Sequence, residues 1–317
     1  MFLKMFPDVV RLTNPQALLT IPQMYRILTL LLFCLGFVTT RAEEPRVVIL
    51  GDSITWDGRW VARVESALRS TNTYANATIL NLALPSETAS GLSEPGHAGG
   101  TFPRPCIHDR LGAVLTQTKP TLVIVCYGMN DGIYQPFNPE IFSAYKKGME
   151  KLVSIIQAKG ARCIILTPPL HAPDKAKTSP QDYDNVLEAF SGWLNSKTAM
   201  GWEVIDIRPS LRDAIQLARK QNKNFQYATD QVHPGDAGHR MIAEATLPEL
   251  WKLLQLKDKP NAGSDARIQH YQKAQIFLRD AWLMQTGHKR PGLPKGISLK
   301  EAESKAAELR VEAAKLR

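Results

Sequence analysis

The chain has 317 residues, 44% of them hydrophobic, which is enough for a sizeable core and longer than a single domain of ordinary size. Its formal charge of +9 invites a nucleic-acid reading, but residues 43–256 are charge-neutral and the basic excess lies before and after them. A neutral central region argues against a surface that tracks phosphates, and so against a nucleic-acid partner. Four cysteines without regular spacing supply neither a metal-ligand pattern nor a disulfide framework.

Residues 27–39 form an apolar block preceded by Arg26 and followed by Thr40-Arg41-Ala42. A basic flank, an apolar stretch of this length and small residues at the end read as a signal peptide. The first 42 residues are therefore expected to be a leader, with translation starting at Met24, export to a secreted or periplasmic location, and no stable membrane span after processing. An anchor helix that is never cleaved is the alternative.

Beyond the leader, short runs rich in Val and Ile at 46–50, 78–82, 121–126, 162–167 and 203–207 have the character of strands buried on both faces. Helical stretches lie between them near 58–70, 107–118, 139–159, 181–199 and 209–221, with another at about 235–255. Strand and helix in alternation imply an α/β fold with a doubly wound parallel sheet and right-handed crossovers. Cys126 and Cys163 fall inside predicted strands as small core residues. The segment 84–106 is so rich in Pro and Gly that regular structure is excluded over most of it, and loops of that length are usually functional or disordered.

At residue 257 the composition shifts. A linker leads into an amphipathic helix over 265–285, a turn-rich stretch at 288–296 and a final helix, where Ser298 and Glu301 form a capping box and Glu301/Lys305 an i,i+4 pair. Residues 257–317 thus read as a basic helical extension of a 43–256 domain. It would pack on that domain or on a second copy as a homo-oligomer contact; a basic surface for an acidic polymer or a membrane is the alternative.

Three stretches carry chemistry. Val48-Ile49-Leu50-Gly51-Asp52-Ser53 is a buried strand ending at a glycine, an acid and a serine, and the carboxyl ends of parallel strands are where open α/β sheets place ligands. Serine needs a base and an orienting group to become a nucleophile. Asp230 three residues before His233 can reach the imidazole Nδ1–H across one turn, leaving Nε2 to face a hydroxyl, although a capping Asp beside a surface His has the same spacing. Gly128-Met129-Asn130-Asp131 follows the third strand; the Asn130 amide suits a developing oxyanion, or simply a turn.

In this order and strand context the three motifs, Gly51-Asp52-Ser53-Ile54, Gly128-Met129-Asn130-Asp131 and Asp230-x-x-His233, resemble the GDSL-like, or SGNH, hydrolases over about residues 46–255. The resemblance implies a three-layer α/β/α sandwich, flavodoxin-like, with a parallel sheet of about five strands and a C-terminal helical extension. It also implies an ester hydrolase with no metal or organic cofactor. Residue by residue, Ser53 corresponds to the nucleophile, His233 to the general base and acid, and Asp230 to the residue orienting the imidazole. The Ser53 N–H and the Asn130 amide correspond to oxyanion donors. Asp52 and Asp131 are read as supports of their loops.

One block departs from the family pattern. Where the family has two glycines and an aspartate, this chain has Ala83, Ser86 and Glu87. Ser86 would then be the third oxyanion donor: its N–H serves if the local φ is negative, while a positive φ would weaken or rearrange the hole. Trp56, Phe102, Arg104 and Tyr134 are the candidate substrate contacts, and His239 is read as a helix residue beside the site. The expected substrate is a small-molecule or polysaccharide ester with a short acyl group, such as an O-acetyl carbohydrate. The alternatives are a lysophospholipase or thioesterase of the same fold, and a non-catalytic polysaccharide-binding relative.

Overall fold

Each of the five apolar runs becomes a strand: β1 Arg46–Gly51, β2 Thr78–Asn81, β3 Leu122–Cys126, β4 Arg162–Leu166 and β5 Glu203–Ile205. The computed structural model describes residues 44–172 and 182–316, so the leader lies outside the described residues. All neighbouring pairs are parallel, in the order β2-β1-β3-β4-β5. The strands are buried because helices cover both faces, which is why they read as continuous apolar runs without alternation.

The helices are α1 Ser53–Asp57, α2 Arg59–Arg69, α3 Leu111–Thr118, α4 Pro139–Ala158, α5 Tyr183–Ser196, α6 Arg208–Gln221, α7 Asp236–Leu253, α8 Asp265–Thr286 and α9 Leu299–Lys315. From β1 the chain runs outward to β2, then reverses past β1 to β3. With right-handed crossovers this reversal puts α2 on one face and α3, α4 and α5 on the other. On the first face α2 touches α7, which also contacts α6 and β5. On the second, Tyr145 of α4 stacks on Phe190 of α5 at 4.1 Å. The reversal lies between β1 and β3, the point at which sheets of this order open a crevice beyond the strand ends.

The helix expected near 58–70 is α2, and Gly58, at φ 87°, separates it from the short α1, which was not expected. One expected helix is interrupted. The 107–118 stretch is a 3₁₀ turn, Ile107–Asp109, followed by α3. The break falls at Arg110, whose backbone leaves the helical region (φ −125°) while its guanidinium turns inward to Glu87 and the Leu82 carbonyl.

The C-terminal helices belong to the compact unit Glu44–Arg317. α8 and α9 pack on each other, and α8 lies on α2, α3 and the β2 edge. An open sheet edge exposes unpaired N–H and C=O groups. Here Gln275 closes it, accepting from Asn81 N–H (3.0 Å) and donating to Ile79 C=O (3.1 Å), while Arg310 donates to the same carbonyl (3.0 Å). Beneath that edge Glu65 is fully buried and bound by Arg69, Arg310 and Gln275. Burial alone would raise its pKa, but Arg310 and Arg69 hold it below the usual carboxylate range. Arg310 of the hairpin thus faces inward as a structural charge. Ser298 caps α9 by accepting Glu301 N–H, and Glu301 pairs with Lys305 at 3.1 Å. Among the described residues no helix is long and apolar enough to cross a membrane.

Candidate active site

β1 ends where space is tightest. A Cβ on Gly51 would lie 2.5 Å from Thr55 Oγ1 and 2.8 Å from the Cys126 carbonyl, so only glycine lets the chain turn here into α1. Asp52 caps that turn, its Oδ1 accepting Ile54 N–H at 3.0 Å. Burial pushes the Asp52 carboxyl up to about 7. Ser53 follows at the carboxyl edge of the sheet. Its Oγ lies 2.8 Å from His233 Nε2, and His233 Nδ1 lies 2.6 Å from Asp230 Oδ2.

The loop before α7 makes that chain of contacts local. Asp230 Oδ1 accepts the N–H groups of Val232 (3.0 Å) and His233 (2.7 Å), and Gln231 takes φ 77° so that three residues close one tight turn. Burial is the largest single influence and raises the Asp230 pKa, but the hydrogen bonds from His233 and Val232 and the nearby imidazole together outweigh it and hold the carboxyl below its ordinary range. With Asp230 ionised, Nδ1 carries the proton and donates to it, leaving Nε2 to accept from Ser53 Oγ. Behind the imidazole, His239 of α7 is buried with Nε2 3.3 Å from Asp57 Oδ1. Its pKa falls to about 4, chiefly through burial, against the pull of Asp57. Arg59 clamps Asp57 at 2.6 and 2.9 Å and reaches Asp236 at 2.5 Å.

The Ser86 backbone does not have the negative φ that would spare it strain: φ is +67°. The cause is a turn from Leu84 to Glu87, closed by Glu87 N–H to Leu84 C=O at 3.2 Å, with Pro85 second and Ser86 third. The third position of such a turn is left-handed and suits glycine; a serine there costs about 1 kcal/mol. The consequence is strain at Ser86. Leu84 N–H bonds Gly51 C=O at 2.9 Å, so Pro85-Ser86 runs level with Asp52-Ser53. Among the described residues neither the Ser53 nor the Ser86 N–H meets an acceptor. Asn130 is buried, with Nδ2 donating to Glu87 C=O at 3.2 Å, which ties it to the same turn and leaves its second amide proton.

Glu87 supports this turn from below. It receives Arg110 through two hydrogen bonds (2.7 and 2.6 Å) and the Tyr127 hydroxyl (2.6 Å), all buried. Burial raises its pKa more than Arg110 lowers it. Asp131 accepts the N–H groups of Ala89 (2.8 Å) and Ser90 (2.7 Å), anchoring the start of the long loop, and burial lifts its carboxyl to about 6. Thr88 and Cys106 form a bridge that closes the loop at its base.

A cavity of about 320 Å³ opens over Ser53 and His233, walled by Ile54, Trp56, Pro85, Leu293 and Pro294, with Asp57, His239 and Arg290 at its polar side. Of the four candidate substrate contacts only Trp56 lines it. Arg104 pairs with Glu94 (2.6 Å) and lies over the Tyr134 ring, Tyr134 stacks on Tyr183 and donates to Asn130 Oδ1 (3.3 Å), and Phe102 packs on His97. These three brace the loops behind the Leu84–Glu87 turn. The wall formed by residues 290–294 carried no sequence signal, because it is brought in by a turn more than 200 residues after Ser53. Among the described residues no group of His, Cys, Asp and Glu is arranged to hold a metal ion.

The model of the GDSL-like Lipase/Acylhydrolase family matches residues 49–241. No curated protein sequence matches significantly. Among solved structures, the chain resembles a gut microbial diltiazem-metabolizing enzyme (20% identity, 65% of this chain and 47% of that one, TM-score 0.51). It also resembles a catalytic mutant of Axe2, an acetylxylan esterase from Geobacillus stearothermophilus (19%, 65% and 94%, TM-score 0.50), and the acetyl xylan esterase AlAXEase (16%, 66% and 99%, TM-score 0.50). This chain spans about half the length of the first of these and nearly all of the other two. At such identities the likeness is one of fold. The match to the family covers more than half of the chain, from β1 through the start of α7, and with it the chain belongs to the GDSL-like lipase/acylhydrolase family, hydrolases that act on ester bonds.

Proposed function

We propose that the chain is a serine esterase for short-acyl esters, with an O-acetyl carbohydrate as the substrate class. Ser53 Oγ attacks the ester carbonyl as His233 Nε2 takes its proton, and Asp230 stabilises the imidazolium that results. The oxyanion sits against the Ser53 and Ser86 N–H groups and the Asn130 amide. Collapse breaks the C–O bond, His233 returns the proton to the departing alkoxide, and an acyl-Ser53 ester remains. Water then attacks that ester, giving its proton to His233, and the acid leaves as Ser53 recovers its own.

The observation that carries this reading is the continuous contact from Ser53 Oγ through the His233 ring to Asp230, at 2.8 and 2.6 Å. A small acyl group is supported by the modest cavity of about 320 Å³, lined in part by Pro85, Leu293 and Pro294. The carbohydrate alcohol is carried over from the acetylxylan esterases of the same fold. Hydrolysis of a p-nitrophenyl ester series tests it: kcat/KM is highest for acetate and falls steadily with chain length. A preference for eight or more carbons would overturn it in favour of a lysophospholipase or thioesterase. From the apolar leader we also propose export; N-terminal sequencing of protein recovered from an expressing culture distinguishes cleavage after Ala42 from a retained anchor.

A further inference from the structure

The turn-rich segment between α8 and α9 is a strap across the nucleophile. It starts beside the oxyanion turn, where Lys289 Nζ meets Asp109 Oδ2 at 3.0 Å. It then passes over the long loop, with the Arg290 guanidinium 5.4 Å from the Phe102 ring centre, and lines the cavity through Arg290, Gly292, Leu293 and Pro294. It is seated again at Gly296, where an added Cβ would lie 2.5 Å from the Ala281 nitrogen of α8. Both ends of the strap are thus fixed to the folded unit, and its middle forms one wall of the site.

Among the described residues the charges around the cavity are matched, with one exception. Arg59 is satisfied by Asp57 and Asp236, Arg104 by Glu94, and Arg279 by Asp280 and the Trp56 face at 3.9 Å. Asp57, the carboxylate on the cavity, is engaged by Arg59 and His239. Arg290 has no carboxylate partner among the described residues. Its Nη1 donates to the Pro291 carbonyl at 2.8 Å, and its Nε is buried without an acceptor. A partly desolvated guanidinium with donors to spare, beside apolar walls and a few side chains from a nucleophile, is suited to a planar anion.

We infer that Arg290 binds a carboxylate on the alcohol part of the substrate, so that the preferred esters are short-acyl esters of hydroxy acids, of which an O-acetylated uronic acid is the carbohydrate form. The inference rests on the serine-esterase reading above and narrows its substrate. The strap then sets specificity: Leu293 and Pro294 limit what fits beside the ester, and Arg290 selects the charge of the leaving alcohol. The basic tail contributes to function here through one guanidinium held in place by the fold.

The test compares kcat/KM for O-acetylated glucuronate and O-acetylated glucose, which differ in the carboxylate. The full chain is expected to favour the acidic ester by at least tenfold. In Arg290→Gln the acidic-to-neutral ratio falls roughly 10- to 100-fold, the loss of a hydrogen bond to a charged group. Lys300→Gln, which removes an exposed charge from α9, leaves the ratio within about twofold. Free glucuronate inhibits the wild type competitively, and Arg290→Gln weakens that inhibition by a similar factor. A wild-type ratio near one, or a ratio that Arg290→Gln leaves unchanged, overturns the assignment while p-nitrophenyl acetate turnover still upholds the esterase reading. No turnover of any ester by folded protein overturns both.

Discussion

Replacing Asn130 by alanine separates the contact its amide makes in the structure from the catalytic role proposed for it. One N–H holds the Glu87 carbonyl at 3.2 Å in a buried setting, and its loss costs about 1 kcal/mol of stability. The other is the proposed oxyanion donor. Removing one such donor raises the barrier by about 3–4 kcal/mol, a fall in kcat of roughly 10²–10³. KM should change little, because the interaction strengthens only as charge develops on the carbonyl oxygen. The assay is steady-state hydrolysis of p-nitrophenyl acetate by wild type and Asn130→Ala, with urea unfolding of both to measure the structural share. Ser86→Gly is the companion: it keeps the N–H and relieves the left-handed serine, so kcat should stay within about twofold. A fall in kcat below fivefold for Asn130→Ala in a folded protein would refute its role at the oxyanion. A large fall for Ser86→Gly would show that the serine side chain, and not the backbone donor, matters at that turn.

Other consequences are structural. Arg110→Met leaves the Glu87 carboxylate buried without its charged partner and should destabilise the protein by about 3–5 kcal/mol in urea unfolding, with a loss of activity if the Leu84–Glu87 turn serves the oxyanion as proposed. In Gly148→Ala the new Cβ would lie 2.2 Å from the Ala89 carbonyl, so α4 must move off the base of the long loop; a cost of about 1–3 kcal/mol is expected from the same measurement. Asp52 has a folded pKa near 7 against a usual value of 3.8, raised chiefly by burial. Folding therefore favours its neutral form, and the stability tied to it is present below about pH 4 and is lost as pH rises through 7. Asp52→Asn keeps a capping acceptor without the charge, so its stability relative to wild type should rise between pH 4.5 and pH 8, by about 3 kcal/mol. An equal difference at both pH values would contradict that assignment.

The parts of the fold legible in sequence were those governed by local rules. The runs that became β1 to β5 were readable because strands covered on both faces need apolar residues at every position. The proximity of Asp230 to His233 followed from a three-residue turn, and that of Ser53 from the strand end on which it stands. The sign of φ at Ser86 was not legible, since the left-handed turn is imposed by Pro85 and the Leu84–Glu87 closure on a residue that does not prefer it. Gln275 and Arg310 read as ordinary polar helix residues, and only the β2 edge gives them their roles. Phe102 and Arg104 stand in the long loop and Tyr134 follows Asn130, but Arg104 engages Glu94 and the Tyr134 ring, Tyr134 engages Tyr183 and Asn130, and Phe102 engages His97 and Arg290. Arg290 was hidden in a basic, turn-rich tail whose composition resembles a linker.

The reactivity of the Ser53 hydroxyl distinguishes a serine esterase from an inactive protein of the same fold. Incubation of the full chain with a fluorophosphonate, followed by peptide mass spectrometry, should show one stoichiometric adduct on Ser53. Ser53→Ala should show none, and His233→Ala should label at least a hundredfold more slowly because the base that takes the Oγ proton is gone. A folded wild-type protein that remains unlabelled, or one labelled at another serine with ester hydrolysis lost in parallel, would contradict the serine-esterase reading.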